Sequence, residues 1–258
     1  MRRVPIVLVA LTVLAQISYP LVGGSARNGL TIATVVLGFA AAVVHALLTR
    51  GTRTAAVLVV VTTGGGLAVE AVGTATGFPF GAYEYAETLG PAVLGVPWVI
   101  PLAWTMMAWP AWLVAGRLVT GWLRVLVGGW ALASWDLFLD PQMVDAGHWT
   151  WDSDGVALPG VPGIPVTNYV GWVLVAVVMC GVLHFFADAG QPTPSDAPML
   201  AFYLWTYASS VLAHAAFFGL PASAVWGGLG MGLVAVPLAV RLYQAGRMAR
   251  PVPLASTR

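Results

Sequence analysis

The chain has 258 residues, 59% of them hydrophobic and only 8% charged, and its mean hydropathy is +0.85. Soluble domains carry about 25% charged residues, so a water-soluble class is excluded and an integral membrane protein is indicated. The net charge of +1 points to no charged partner such as nucleic acid, and one cysteine, Cys180, excludes an internal disulfide or a thiolate cluster.

A helix needs about 20 apolar residues to cross a bilayer. Eight stretches meet that requirement: 5–22, 30–48, 54–72, 96–115, 122–139, 167–186, 199–220 and 222–242. The predicted fold class is therefore all-α, a polytopic membrane helix bundle forming a single domain over 1–258. Arg2 and Arg3 precede the first stretch as they would in a signal peptide, but no small-residue cleavage site follows, so a retained span is expected. Every basic residue is an arginine. With a cytoplasmic N-terminus, Arg2, Arg3, Arg50, Arg53, Arg117, Arg124, Arg241, Arg247, Arg250 and Arg258 fall on the inner side and Arg27 alone on the outer side. That bias follows the positive-inside rule and predicts a multi-pass plasma-membrane protein with both termini in the cytoplasm.

Two connections are long, 73–95 and 140–166, and both lie on the outer side without a basic residue. Long loops in a compact protein are usually functional or disordered, and the aromatic content of these two favours packed lids. Between them, the fourth stretch holds Pro97, Pro101 and Pro110, which should kink or break it beside a cavity. The run TTGGGL in the third stretch offers small residues for close helix contact. His45, His148, His184 and His214 show no HxxH or HxxxH spacing, so no histidine box is present and no metal or cofactor is expected.

The polar residues that remain converge on one depth. Glu70 lies near the outer end of the third stretch, Asp136 and Asp140 share one face of the fifth, and Asn168 opens the sixth. Tyr83 and Tyr85 come from the first loop, and Trp149 and Trp151 from the second. Asp140 before Pro141 could simply begin a turn, and Asn168 could cap a helix. Asp136 is the hardest to explain as packing, because an ionisable group inside the bilayer costs about 2.5–3.5 kcal/mol and marks function by default. Burial, a neighbouring carboxyl group and the negative end of a helix all favour a neutral acid able to donate a proton.

The motifs GFPFGAYEY (77–85), LGPAVLGVPWVIPLAWTMMAWPA (89–111), WDLFLDPQMVDAGHWTW (135–151) and GIPVTNYVGW (163–172) resemble the membrane carotenoid-biosynthesis family of CruF-type carotenoid 1,2-hydratases, the bisanhydrobacterioruberin hydratase family. The resemblance implies a hydro-lyase that adds water to the terminal isopropylidene double bond of an acyclic carotenoid. The residue chemistry suits that reaction, with Asp136 as proton donor, Glu70 sharing its proton, and Asp140 remaining charged near the interface to orient water with Asn168. Tyr83, Tyr85, Trp149, Trp151, Trp104 and Phe80 are expected to line the substrate pocket. The expected partners are an acyclic carotenoid, the bilayer and other membrane enzymes of the pathway. One alternative is an intramembrane prenyltransferase that holds magnesium on the DxxxD of Asp136 and Asp140. Another is a non-catalytic carotenoid-binding protein.

Overall fold

The computed structural model describes residues 3–152, 155–187 and 192–248. Arg2, Arg250 and Arg258, used in the charge reading above, lie outside them. Nine α-helices follow one another among the described residues: α1 Val4–Ser18, α2 Gly24–Leu58, α3 Gly65–Thr76, α4 Ile100–Leu118, α5 Leu123–Ala133, α6 Asp136–Asp145, α7 Val166–Phe186, α8 Ala197–Ala216 and α9 Pro221–Met248. A π-helical segment, Val59–Gly64, joins α2 to α3. Gly51, at φ 87°, interrupts α2, and only glycine adopts that conformation readily. The apolar stretch Gly24–Thr76 is thus two helical runs meeting at Gly51.

Four stretches are long and apolar enough to cross a membrane: Val4–Leu21, Gly24–Thr76, Val166–Phe186 and Pro221–Arg247. The other helices fall short for identifiable reasons. The stretch expected at 122–139 is broken at Ser134–Trp135 into α5 and α6, of 11 and 10 residues. Tryptophan and proline dilute α4, and Thr206, Ser209 and Ser210 dilute α8. Most of these shortfalls lie beside the cavity described below.

The break changes the reading of the fifth stretch. Asp136 stands in the first turn of α6 rather than near the end of a long helix, so the negative helix end invoked for it does not apply. The Asp140–Pro141 pair begins no turn either, because α6 continues through it to Asp145. Pro141 has no N–H for the carbonyl of Leu137, and Ser223 on α9 donates its Oγ hydrogen there instead, at 2.8 Å.

The two long loops are joined to each other. Strand β1, Tyr83–Tyr85, pairs antiparallel with β4, Trp149–Trp151, in the register Tyr83 to Trp151 and Tyr85 to Trp149. Shorter ribbons, β2 Ala92–Val93 with β3 Val96–Pro97 and β5 Ala157–Leu158 with β6 Val161–Pro165, flank this pair. Side chains alternate across a strand, so the four aromatics of β1 and β4 share one face while Glu84 and Thr150 share the other and are exposed. The loops are packed lids, as their composition indicated.

Arg50, Arg117 and Arg241 gather at the opposite end of the bundle, whereas Arg27 lies over the Tyr19 ring. Arg50 pairs with Asp196 at 2.8 Å and Arg117 with the same carboxylate at 3.7 Å. Arg241 donates to the carbonyls of Arg117 and Leu118. His45 completes this end, with Nε2 2.9 Å from the Ser195 carbonyl and Nδ1 accepting the Trp109 indole N–H at 3.0 Å. These bonds make His45 a structural fastener of that end.

Candidate active site

Beneath the β1–β4 lid lies a cavity of ≈ 160 Å³ whose lining includes Glu70, Asp140 and Asn168. Two glycines of α3 make room for its aromatic wall. A Cβ on Gly66 would sit 2.8 Å from the Trp104 ring, and one on Gly73 would sit 2.7 Å from the Tyr83 hydroxyl. The small-residue run therefore admits rings against α3, which brings their polar atoms to Glu70.

Glu70 is 4% exposed and is held by three donors. Its Oε2 accepts from the Tyr83 hydroxyl at 2.5 Å and the Tyr85 hydroxyl at 2.8 Å, and Oε1 accepts from the Trp104 indole N–H at 3.0 Å. An indole N–H can only donate, so that contact fixes Oε1 as an acceptor. Burial, reinforced by the nearby Glu70, raises both phenols above their ordinary value, and they remain O–H donors at neutral pH.

Asp136 and Asp140, one helical turn apart, are bridged by Asn168. The Asn168 amide Nδ2 donates to Asp136 Oδ2 at 2.9 Å and also to Asp140 Oδ2. Asp140 Oδ1 accepts the Trp149 indole N–H at 3.1 Å. Asn168 is the third residue of α7, which has no side-chain cap, so capping is not its role. Asp140 is 3% exposed and roofed by Trp149; it is not the interfacial, water-exposed group expected of it.

The two aspartates differ in what they face. Asp140 lines the cavity, whereas Asp136, 0% exposed, does not. Asp136 Oδ1 has no partner among the described residues. A buried acceptor without a partner is least costly on a neutral acid, whose carbonyl oxygen carries no full charge. The arrangement is a dyad with a cavity-facing member, Asp140, and a member behind it, Asp136.

Rings form the remaining wall. Trp104 and Trp172 stack with centroids 3.9 Å apart at 12°, and Phe80 lies 6.5 and 6.3 Å from them. Tyr83 and Tyr85 meet edge to face at 5.4 Å, and each also contacts a lid tryptophan at 5.6 Å, Trp151 and Trp149 respectively. Phe80, Tyr83, Tyr85, Trp104, Trp149, Trp151 and Asn168 all line the cavity with Glu70 and Asp140. Sequence reasoning missed Trp135, Phe138 and Trp172, and the polar face that α1, α2 and α8 turn to the cavity. The spacing of Thr206, Ser209, Ser210 and Ala213, on one helical face, was the available signal for that last wall.

The model of the carotenoid biosynthesis protein family matches residues 30–232, most of the chain. This chain belongs to the carotenoid biosynthesis protein family. Its similarity extends to the bisanhydrobacterioruberin hydratase of Haloarcula japonica, 32% identical over 126 residues. That alignment covers 46% of this chain and 41% of the relative, so the chain matches less than half of the relative's length. No solved structure matches the chain. The cavity falls within the matched span of the family, apart from Gln16 and Tyr19 on its α1 side.

The prenyltransferase alternative fits this geometry poorly. A diphosphate needs basic side chains, yet no arginine is among the described residues that line the cavity. Asp136 and Asp140 also point their Oδ2 atoms at one Asn168 amide instead of opening together toward the cavity.

Proposed function

We propose that this chain adds water to the terminal isopropylidene double bond of an acyclic carotenoid end, giving a tertiary alcohol by acid catalysis. One observation carries the reading: a single cavity joins two buried carboxyl groups, Glu70 and Asp140, to a box of indole and phenol rings. The name of the Haloarcula relative supports the reaction class.

Asp140 gives its proton to the less substituted alkene carbon. The new C–H bond consumes the π pair and leaves a tertiary cation on the neighbouring carbon. Asp136, which lies behind Asp140 and lines no part of the cavity, resupplies the dyad rather than acting as the direct donor expected from its depth. Aromatic faces stabilise a desolvated cation by about 2 kcal/mol or more, and Glu70 adds a counter-charge. Water attacks the cation, and the resulting oxonium returns a proton to the carboxyl groups. The balance is one alkene plus one water to one alcohol, and no redox cofactor or metal enters it.

The same reading places the chain in the plasma membrane as eight passes with cytoplasmic termini. Gly51 divides α2, and α5 with α6 acts as one broken span. The arginine end then faces the cytoplasm and the aromatic lid faces outward. The long polyene stays in the bilayer with only its end in the cavity, and other membrane enzymes of the pathway supply it.

Expression in a host that makes acyclic carotenoids with isopropylidene ends tests the proposal. Pigment gaining the mass of one water, dependent on Asp140, is the expected result. Unchanged pigment, with the protein present in the membrane, would refute it.

A further inference from the structure

The cavity has a second polar wall that the carboxyl chemistry leaves unused. It is built by α1, α2 and α8, and includes Gln16, Thr34, Thr206 and Ser210, with Tyr19 just beyond the end of α1. Helices facing lipid or an apolar ligand do not need such a stripe. Two of its hydroxyl groups, Thr206 Oγ1 and Tyr19 Oη, are buried and have no hydrogen-bond partner among the described residues. Thr206 is 3% exposed, and its hydroxyl does not bond back to its own helix, as Thr12 and Thr62 do at 2.8 and 2.7 Å. Buried polar groups are almost always satisfied, by ordered water if not by protein.

Gln16 shows what the wall presents. The Trp205 indole N–H donates to Gln16 Oε1 at 2.9 Å. Since an indole N–H can only donate, the amide is fixed with its oxygen toward Trp205, which frees its NH2 donors for the cavity. A donor on α1 and hydroxyls on α2 and α8 therefore converge on one space. A water needs two to four polar partners, and this wall supplies them without a charge.

We propose that this wall is the water site of the reaction, so that the attacking water is held by α1, α2 and α8 while the proton comes from α3 and α6. The inference rests on the hydration reading above. Separate walls solve a chemical problem. A water bound directly to Asp140 would compete with the alkene for its proton, whereas a water on neutral hydroxyls keeps its lone pair for the cation. Step by step, the carboxyl group protonates one alkene carbon, and the wall-bound oxygen forms the C–O bond at the other. The oxonium then loses its extra proton to the carboxylate that was left.

A partition experiment in heavy water separates the two walls. The cation has two exits: water capture, which gives alcohol, and loss of a proton, which returns alkene carrying deuterium. Thr206→Val and Ser210→Ala, singly and together, are compared with the unaltered chain for both products on an acyclic carotenoid with isopropylidene ends. The water site predicts that hydration falls relative to deuterium exchange by about tenfold or more, the scale of a lost polar contact in a transition state. Thr206→Ser, which keeps the hydroxyl, should restore the ratio. Continuing exchange would itself show that the variants are folded and still protonate substrate. Parallel loss of both products, or an unchanged ratio, would overturn the water site. So would a KM effect confined to substrates that already carry a hydroxyl, which would make the wall a substrate-alcohol subsite. An unaltered chain yielding neither product would instead remove the hydration reading itself, and the water site with it.

Discussion

Asp140→Asn is the most informative single change, because it removes the cavity-facing carboxyl group of the dyad while nearly keeping its shape. Asp140 Oδ1 accepts from the Trp149 indole N–H, and Oδ2 accepts from the Asn168 amide. An asparagine has one acceptor oxygen and one NH2 group. Placing its oxygen toward Trp149 sets its NH2 against the Asn168 NH2, and the reverse placement sets it against the indole N–H. Turning Asn168 over would relieve that clash but would withdraw the donor from Asp136 Oδ2. A weakened buried bond to Trp149 or Asn168 costs about 1–3 kcal/mol in stability. The variant also loses the only cavity-facing proton of the dyad, and general acid catalysis contributes about 10²–10⁴-fold in rate. We therefore expect a chain that still assembles in the membrane, melts at a lower temperature in detergent, and hydrates about 10²–10⁴-fold more slowly. Asp136→Asn should be milder, because Asp136 lies behind the cavity and its Oδ1 accepts no hydrogen bond among the described residues that an amide NH2 would displace. Product formation per cell, normalised to protein in the membrane, reads both. Near-normal hydration by Asp140→Asn, or a dead Asp136→Asn beside it, would refute the assignment of the two aspartates.

Contacts of the lid and the number of passes give three further outcomes. Gly73→Ala should lower activity by moving the Tyr83 ring, since the new Cβ meets its hydroxyl at 2.7 Å, and Tyr83→Phe should reproduce only the part due to the lost bond to Glu70; product assays on both variants measure the difference. Burial lowers the affinity of His148 for a proton below the ordinary value of 6.5, so the unfolded loop takes up a proton before the folded one does. Stability should be complete above about pH 6.5 and fall as pH drops below it, and hydrogen exchange of the Ala86 amide, which donates to the His148 carbonyl, should speed up over that range and do so less in His148→Gln. Reporter fusions at Thr88 and after Arg247 should score on opposite sides of the membrane, and scores on one side would contradict the even number of passes.

The sequence revealed the cast of the site more fully than its roles. Glu70, Asp136, Asp140 and Asn168 stood out because polar residues are scarce in apolar helices, and scarcity is visible without coordinates. The aromatic lid was legible from loop composition, and the shared face of its four rings follows from alternation once the strands and their register are known. What could not be read was direction. Hydropathy treats 122–139 as one run and cannot see the break at Ser134–Trp135 that makes Asp136 the start of a helix. Depth alone also ranked Asp136 above Asp140, although a side chain's access to a cavity depends on which helix face the neighbours cover. The water-site wall was overlooked for a related reason. Threonine and serine cause little disturbance in a hydropathy profile, and helices α1, α2 and α8 looked generic until their polar faces met around one space.

The source of the new oxygen distinguishes hydration from every oxidative route to the same alcohol. Membranes containing this chain, supplied with an acyclic carotenoid bearing isopropylidene ends, should form the alcohol without molecular oxygen in water enriched in heavy oxygen. The new hydroxyl should carry the heavy isotope in full. A product that forms only when oxygen gas is present, or whose hydroxyl lacks the isotope from water, would contradict acid-catalysed hydration by this carboxyl cluster.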